Sequence, residues 1–427
     1  MILRSPRHVS LLALVVLCSG VGALSASRFA PDPNLVSLAR SVPRCRLEGT
    51  VIESSGLGSF VQIQSAVCGD AITSEGVVVL DDEDVDLGAV VEGTGTLIPL
   101  DASTFDRARE RFGASARLVG DLTVSPPVSP LWRVTWGLRR GFARATEAAP
   151  PAAGALLRGL TIGDVSDLPA ADLESLRRAG LTHLVAVSGE NVAIVLAAVA
   201  TVIRGLAARL RVLLCGAALG AFVAVVGPDA SVLRAAVMGA LGLLALAIGR
   251  RTNPVNLVAL ATLILFAMRP PLVYSVGFLL SVAATLGIVL WAPGIARLSR
   301  LPGPVALPVA VTAAAQAAVA PILIVTFGEL SLVGLVANVI AAPAVAPATV
   351  LGLLSALLAQ IAPSAARVVA VGAAPFSEWI LGVARVAGSL PWAMVPVPWP
   401  VGAGLAVFVV VGMIRSALAA TGDTVSV

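Results

Sequence analysis

Four polar side chains follow one another closely at the start of a long apolar run: His183, Ser188, Glu190 and Asn191. An imidazole, a hydroxyl, a carboxylate and a carboxamide can exchange protons or form hydrogen bonds. Ionisable groups in apolar segments are costly and usually face a water-filled path, so a functional role is the first hypothesis. Two plainer roles stay open. His183 can brace a helix start against a neighbouring carbonyl, and Ser188-Gly189 can form a small-residue packing notch.

The composition indicates the class of protein in which these groups must act. Of 427 residues, 57% are hydrophobic and only 13% are charged, whereas soluble domains carry about a quarter charged residues. The chain is therefore predicted to be a polytopic α-helical membrane protein. The candidate spans lie near residues 183–203, 210–227, 232–249, 255–268, 271–291, 305–325, 330–342, 345–361, 366–388 and 402–420.

The distribution of arginine predicts an orientation for these spans. Residues 9–26 form one apolar segment preceded by Arg4 and Arg7, which is typical of an uncleaved first helix or a signal peptide. We favour the uncleaved anchor with a cytoplasmic N-terminus. Alternate loops of the core then bring a series of arginines to the cytoplasmic side, as the positive-inside rule requires: Arg204, Arg209, Arg211, Arg250, Arg251, Arg297 and Arg300.

Between residues 28 and 130 the pattern changes to short alternating runs separated by Gly and Asp, which predicts β-strands. Four or five strands in about 100 residues suit a small OB-like barrel, placed outside the cytoplasm by the orientation above. There Cys45 and Cys68 can form a disulfide. Fifteen Asp and Glu against eight Arg leave about seven net negative charges, which opposes a broad phosphate-binding face. The basic stretch 107–117 is more typical of a solvated helix face.

The junction and the core complete the predicted organisation. Trp132, Trp136 and nearby arginines favour a helix at the lipid interface, and residues 156–164 and 173–180 favour short amphipathic helices. The predicted divisions are an anchor at 1–27, the β domain at 28–130, an interfacial and amphipathic junction at 131–180, the multi-helix core at 181–421 and a tail at 422–427.

Several core segments are shorter than the roughly 20 residues that a crossing needs. Residues 255–268 are short, and Pro343 and Pro347 interrupt 330–361. Half-helices or re-entrant pieces are therefore expected, and such pieces usually line a cavity. Glu190 needs a wet cavity or a partner, for which Arg234 is the candidate. A structural ion pair and an Arg234 exposed to a translocation path are both open.

Four ordered stretches carry a family resemblance. The run from Gly180 to Gly189 (GLTHLVAVSG) resembles the signature of the ComEC competence family, an inner-membrane channel for transforming DNA. Three later matches follow in order: residues 231–238 (SVLRAAVM), residues 277–281 (GFLLS), and a last stretch that holds Gln316 with Pro321 and Asn338 with Pro343. Two positions depart from the family, which often has His where Asn191 stands and Gln where Leu279 stands. Asn keeps a donor and an acceptor but does not titrate.

The resemblance implies an OB-like domain after the first helix and a core that passes single-stranded DNA across the inner membrane during transformation. The expected partners are single-stranded DNA, membrane lipid, a cytoplasmic helicase or translocase, an extracytoplasmic DNA receptor and a separate nuclease. The candidate DNA-path lining residues are His183, Ser188, Glu190, Asn191, Arg234, Gln316 and Asn338. A diverged secondary transporter for a small solute and a non-conducting membrane scaffold remain alternatives.

We expect neither catalysis nor a cofactor in this chain. Many family members continue into a metallo-β-lactamase-like nuclease domain, whereas this sequence ends after a span at Val427. A zinc nuclease needs several closely placed ligands, and the chain has only His8 and His183 as histidines. A nucleotide-binding loop of the GxxxxGK[ST] type is excluded because the chain has no Lys.

Overall fold

The structure is a computed structural model of the chain. It describes residues 32–41, 44–55, 58–69, 71–73, 76–80, 85, 88–101, 114–185, 187, 189–227, 230–250 and 253–422. The predicted anchor at 1–27, the candidate Ser188, Arg107, Arg109 and Arg111 of the basic stretch, and the tail from residue 423 lie outside the described residues.

The chain divides into two compact units, which are described separately. The first contains the chain up to Arg139 together with Val223–Ala230 and Thr262–Ser275. The second contains Arg140–Phe222, Ser231–Ala261 and Val276–Val427. The β domain lies in the first unit, and every residue of the predicted lining set that the structure describes lies in the second.

The first unit is built on a closed five-stranded barrel. The described strands of the unit are β1 (Arg44–Ser55), β2 (Gly58–Cys68), β3 (Ala71–Thr73), β4 (Val77–Leu80), β5 (Val90–Ile98) and β6 (Ala114–Ser125), and all of them except β3 form the barrel. Their order is β1-β5-β6-β4-β2, and β1 also pairs with β2, which closes the barrel. The β4–β6 pair is parallel and the other pairs are antiparallel. This arrangement confirms the predicted OB-like β domain, to which β3 adds a short edge strand.

The barrel has its own apolar core, because inward-facing residues alternate along its strands. Helix α1 (Pro33–Arg40) begins at Asp32, whose carboxylate accepts from the amides of Asn34 and Leu35 at 2.8 and 3.0 Å. It places Leu35 in the core with residues of all five barrel strands. A disulfide joins Cys45 of β1 to Cys68 of β2.

The rest of the described chain is almost entirely helical. The helices are α2 (Pro130–Thr146), α3 (Pro151–Ile162), α4 (Ala170–Arg178), α5 (Thr182–Val185), α6 (Gly189–Val202), α7 (Ala208–Val226), α8 (Ala230–Ala247), α9 (Pro254–Met268), α10 (Val276–Leu298), α11 (Gly303–Phe327), α12 (Gly334–Leu358), α13 (Pro363–Gly388) and α14 (Trp399–Gly422). A 3₁₀ turn spans Pro270–Tyr274, and strands β7 (Glu329–Ser331) and β8 (Met394–Pro396) pair as a short ribbon.

Seven of these helices, α7, α8 and α10 to α14, are long and apolar enough to cross a membrane. The polytopic class is therefore confirmed. Helices α6 and α9 have 14 and 15 residues and are shorter than a full crossing. The short length predicted for residues 255–268 thus agrees with α9.

Two predicted boundaries were wrong. Residues 330–361 were expected to form two pieces, but α12 runs unbroken from Gly334 to Leu358 through Pro343 and Pro347. Packing against α13 and α3 holds the helix together where proline removes backbone hydrogen bonds. The predicted span 183–203 is instead divided into α5 and α6.

The junction also differs from its prediction in one helix. Helix α2 contains Trp132 and Trp136, as expected, and α4 buries Leu176 together with Asp172. Helix α3, expected to be amphipathic, is buried from Ala153 to Ile162. It packs against both α12 and α13, so its two sides are covered by protein.

Candidate functional site

The predicted polar motif lies at a break between two helices. Helix α5 ends at Val185 and α6 begins at Gly189. Val187 between them is buried, and its carbonyl accepts a hydrogen bond from the Ser231 hydroxyl at 2.8 Å. The break is therefore fixed to the first turn of α8.

Arg234 of α8 lies directly beside the start of α6. A methyl group placed at Gly189 would come within 2.8 Å of the Arg234 Nη2 atom. The guanidinium donates from Nε to the Ser281 hydroxyl of α10 at 2.8 Å and from Nη1 to the Met238 sulfur at 3.1 Å. Three of the four stretches that carry the family resemblance thus meet around one guanidinium.

The environment of Arg234 favours an anion. The residue is only 5% exposed, and two of the groups that its guanidinium bonds, Ser281 and Met238, are neutral. A buried charge is costly unless a counter-charge or water compensates it. The N-terminal end of α6, against which Arg234 lies, adds partial positive charge of its own. Glu190 stands in the first turn of α6 with an exposed side chain, a position in which a carboxylate is favourable.

A second polar cluster surrounds Gly180, on the other side of α5. Asn338 of α12 donates from Nδ2 to the carbonyls of Gly180 and Gly334 at 3.3 and 2.8 Å. Gly180 has a φ of +69° and lies so close to Gly334 that a methyl group would meet the Gly334 Cα at 3.1 Å. Gln316 of α11 packs against Gly334 in turn.

His183 and Asn191 take contrasting positions. The His183 side chain is exposed and hydrogen-bonds the backbone of Gly180, which agrees with the bracing role considered for it. Asn191 is 3% exposed, and its Nδ2 donates to the Leu160 carbonyl of α3 at 2.9 Å. This hydrogen bond fixes the first turn of α6 to α3.

Helix α4, which precedes the motif, is held by several charged contacts. Arg385 of α13 bonds both carboxylate oxygens of Asp172. Arg177 bonds Glu174 through two nitrogens at 2.7 and 2.9 Å, and it also bonds Glu329 of β7. The Arg177 guanidinium lowers the pKa of the Glu174 carboxyl, and the two carboxylates raise the pKa of Arg177. These contacts tie α4 to α13 and to the β7–β8 ribbon.

Sequence reasoning missed several partners of the predicted residues. Ser231 and Ser281 lie within the matched stretches, but only the structure shows that they contact Val187 and Arg234. Arg158 is buried in α3, and it bonds Asp167 and lies 3.4 Å from Asp164. An arginine among apolar residues, followed by two aspartates six and nine residues later, was the available signal.

Among the described residues, no group of three His, Cys, Asp or Glu side chains is placed to hold a metal ion.

These features define a multi-pass membrane protein with an OB-like β domain and a polar helix break in its helical core. Residues 160–420 match the family model described as Competence protein. Because the match covers more than half of the chain, the protein belongs to the Competence family. No curated protein and no solved structure gives a significant match.

Proposed function

We propose that this protein passes single-stranded DNA across the inner membrane into the cytoplasm during natural transformation. Family membership supports a role in DNA uptake in general. The observation that supports the finer proposal is the buried Arg234, whose guanidinium bonds Ser281 and Met238 and lies against the start of α6.

A DNA strand carries one phosphate charge per nucleotide and needs a wet path lined by positive or hydrogen-bonding groups. Arg234 can form paired hydrogen bonds with a phosphate. Ser231 and Ser281 fix the segments around it. Glu190, in the first turn of α6, supplies a negative charge close by that limits how tightly a phosphate is held. Weak binding at each step allows the strand to leave again.

The proposed orientation places the N-terminus in the cytoplasm and the β barrel outside. Two observations support it. Alternate loops of the core carry seven arginines between Arg204 and Arg300, and the Cys45–Cys68 disulfide is expected in an oxidising compartment.

In this proposal the chain is a conduit and not an enzyme. A cytoplasmic helicase or translocase supplies directional energy, an extracytoplasmic receptor delivers the DNA, and a separate nuclease degrades the second strand. His183, Asn191, Gln316 and Asn338 then act mainly by holding the helix break in shape, since their known contacts are with backbone or neighbouring helices.

The test is import of labelled DNA into cells that carry Arg234→Gln, Arg234→Lys or the native protein. Arg234→Gln removes the charge and should lower uptake by about tenfold or more, the effect of losing roughly 1.4 kcal/mol of phosphate contact. Arg234→Lys keeps the charge without the planar fork, so intermediate uptake is expected. The matched control is Arg209→Gln, because Arg209 is exposed at the start of α7.

Membrane levels of each variant are measured by immunoblot so that loss of protein is not mistaken for loss of conduction. Normal uptake by Arg234→Gln at native membrane levels would overturn the proposal in favour of a scaffold. Normal transformation in a strain that lacks the gene would exclude a role of this protein in DNA uptake. Loss of small-solute uptake in the same strain would indicate a transporter.

A further inference from the structure

The β domain carries a groove that contains none of the residues of the proposed DNA path. Its volume is about 740 Å³, within the range of peptide- and ligand-binding sites. One wall is the outer face of β1, β2 and β5, with Glu48, Thr50, Gln64 and Glu92. The other wall is the segment after β6, with Trp132 at the start of α2.

The aromatic wall has a defined support. Gly88 has a φ of +77°, and a methyl group there would lie 2.6 Å from the Trp132 Cγ atom, so the indole rests directly on the glycine backbone. Gln64 donates to the Thr50 hydroxyl at 2.9 Å, which orders the wall that the strands form. The groove is thus a supported surface that includes an aromatic ring.

The described residues that line the groove carry only negative charge. Glu48 and Glu92 are its charged lining residues, and the remaining lining residues are apolar or neutral. Glu48 and Glu92 are direct partners across the β1–β5 pair, and both side chains are exposed. Carboxylates directly opposite each other on neighbouring strands repel, which destabilises the empty sheet. A bound cation would relieve this repulsion.

We propose that this groove binds a basic, partly apolar peptide segment of a partner protein and not DNA. The arginine or lysine side chains of the segment would pair with Glu48 and Glu92, and an aliphatic or aromatic side chain would pack on Trp132. The net negative charge of residues 28–130 draws the same partner and repels phosphate. This proposal is independent of the DNA route through the core.

The experiment uses the full chain in nanodiscs of zwitterionic lipid. The probe is a fluorescein-labelled hexapeptide of alternating arginine and apolar residues, including one phenylalanine, and binding is followed by anisotropy. We expect the E48Q/E92Q double variant to bind it about tenfold more weakly or worse, since two charge pairs are lost. Asp121→Asn is the matched control, because Asp121 is exposed on β6 outside the groove.

A second readout separates a binding role from a structural one. In the empty protein, Glu92→Gln should increase the hydrogen-exchange protection of the β1 and β5 amides, because it removes the repulsion with Glu48. If the Glu92 carboxylate were instead required for the structure of the sheet, Glu92→Gln would lower the protection of these amides. That result would contradict the proposal.

Three binding results would also overturn it: unchanged peptide affinity in E48Q/E92Q, an equal loss in the Asp121→Asn control, or equal binding of a hexapeptide with glutamate in place of arginine. A 20-nucleotide oligothymidylate should not displace the peptide. Displacement together with loss of oligonucleotide binding in Trp132→Ala would identify the groove as a nucleic-acid site.

Discussion

The Arg385 guanidinium bonds Asp172 through two parallel hydrogen bonds, from Nε to Oδ1 at 2.6 Å and from Nη2 to Oδ2 at 2.9 Å. The two partners differ in exposure, since the Asp172 side chain is 8% exposed and that of Arg385 is 53% exposed. Paired bonds of this kind fix orientation as well as distance. The contact therefore sets how α4 lies on α13, just before the helix break.

The difference in exposure predicts unequal effects of two substitutions. Arg385→Ala leaves a buried carboxylate without its partner and should lower the free energy of unfolding by about 2–3 kcal/mol. Asp172→Ala leaves a half-exposed arginine that water can solvate, and it should cost only about 1–2 kcal/mol. Urea titration in mild detergent measures both. Equal losses, or a larger loss for Asp172→Ala, would contradict this account.

Gly189 is predicted to be required for the position of Arg234. In Gly189→Ala the new methyl group would lie 2.8 Å from Nη2, so the guanidinium must move away from the start of α6. We expect DNA uptake to fall about tenfold while the protein still folds, because a flexible side chain can absorb the clash.

Gly216→Ala is the control for this prediction. Gly216 lies in α7 with open space where a Cβ would be, so the substitution adds the same methyl group and helix propensity without a clash. Uptake that falls equally in both variants would show a general effect of alanine and not a local one.

Some elements of the fold were predictable from the sequence and one break between helices was not. The barrel was predictable because alternating residues along β1 and β2 point to opposite sides of a sheet, and the long apolar helices were predictable because their length is measured directly along the chain. The break before Gly189 was not, because the polar residues there can equally stand at the start of one continuous helix, as the predicted span 183–203 assumes.

The sequence also could not predict which residues contact the candidate site residues. The hydropathy pattern indicates that Arg234 is unusual in α8, but only the structure shows that its guanidinium donates to Ser281 of α10. In the same way, Pro343 and Pro347 predict an interruption because proline removes a backbone hydrogen bond from a helix. The structure shows that α12 continues through both prolines, packed against neighbouring helices.

Asn191 provides a test of its role as a brace. Asn191→Ala removes the hydrogen bond to the Leu160 carbonyl and should lower the free energy of unfolding by about 1–2 kcal/mol. Asn191→Asp should cost more, because a buried carboxylate cannot donate to that carbonyl and faces it with like partial charge. Urea titration ranks the variants, and an Asp variant as stable as the native protein would exclude the brace.

The pH dependence of stability should report the contact between Glu174 and Arg177. The hydrogen bond from Arg177 lowers the pKa of Glu174 below its ordinary value of 4.5, whereas the raised pKa of Arg177 keeps the guanidinium charged. A carboxyl whose folded pKa is lowered contributes stability above its unfolded pKa, and this contribution is lost as the pH falls through the folded value. Glu174→Gln should therefore be less stable than the native protein at pH 6, and the difference should shrink as the pH falls from about 4.5 to 3. Thermal unfolding across this range is the measurement, with the exposed Glu147→Gln as control. A difference that stays constant over these pH values would mean that Glu174 contributes through packing and not through its charge.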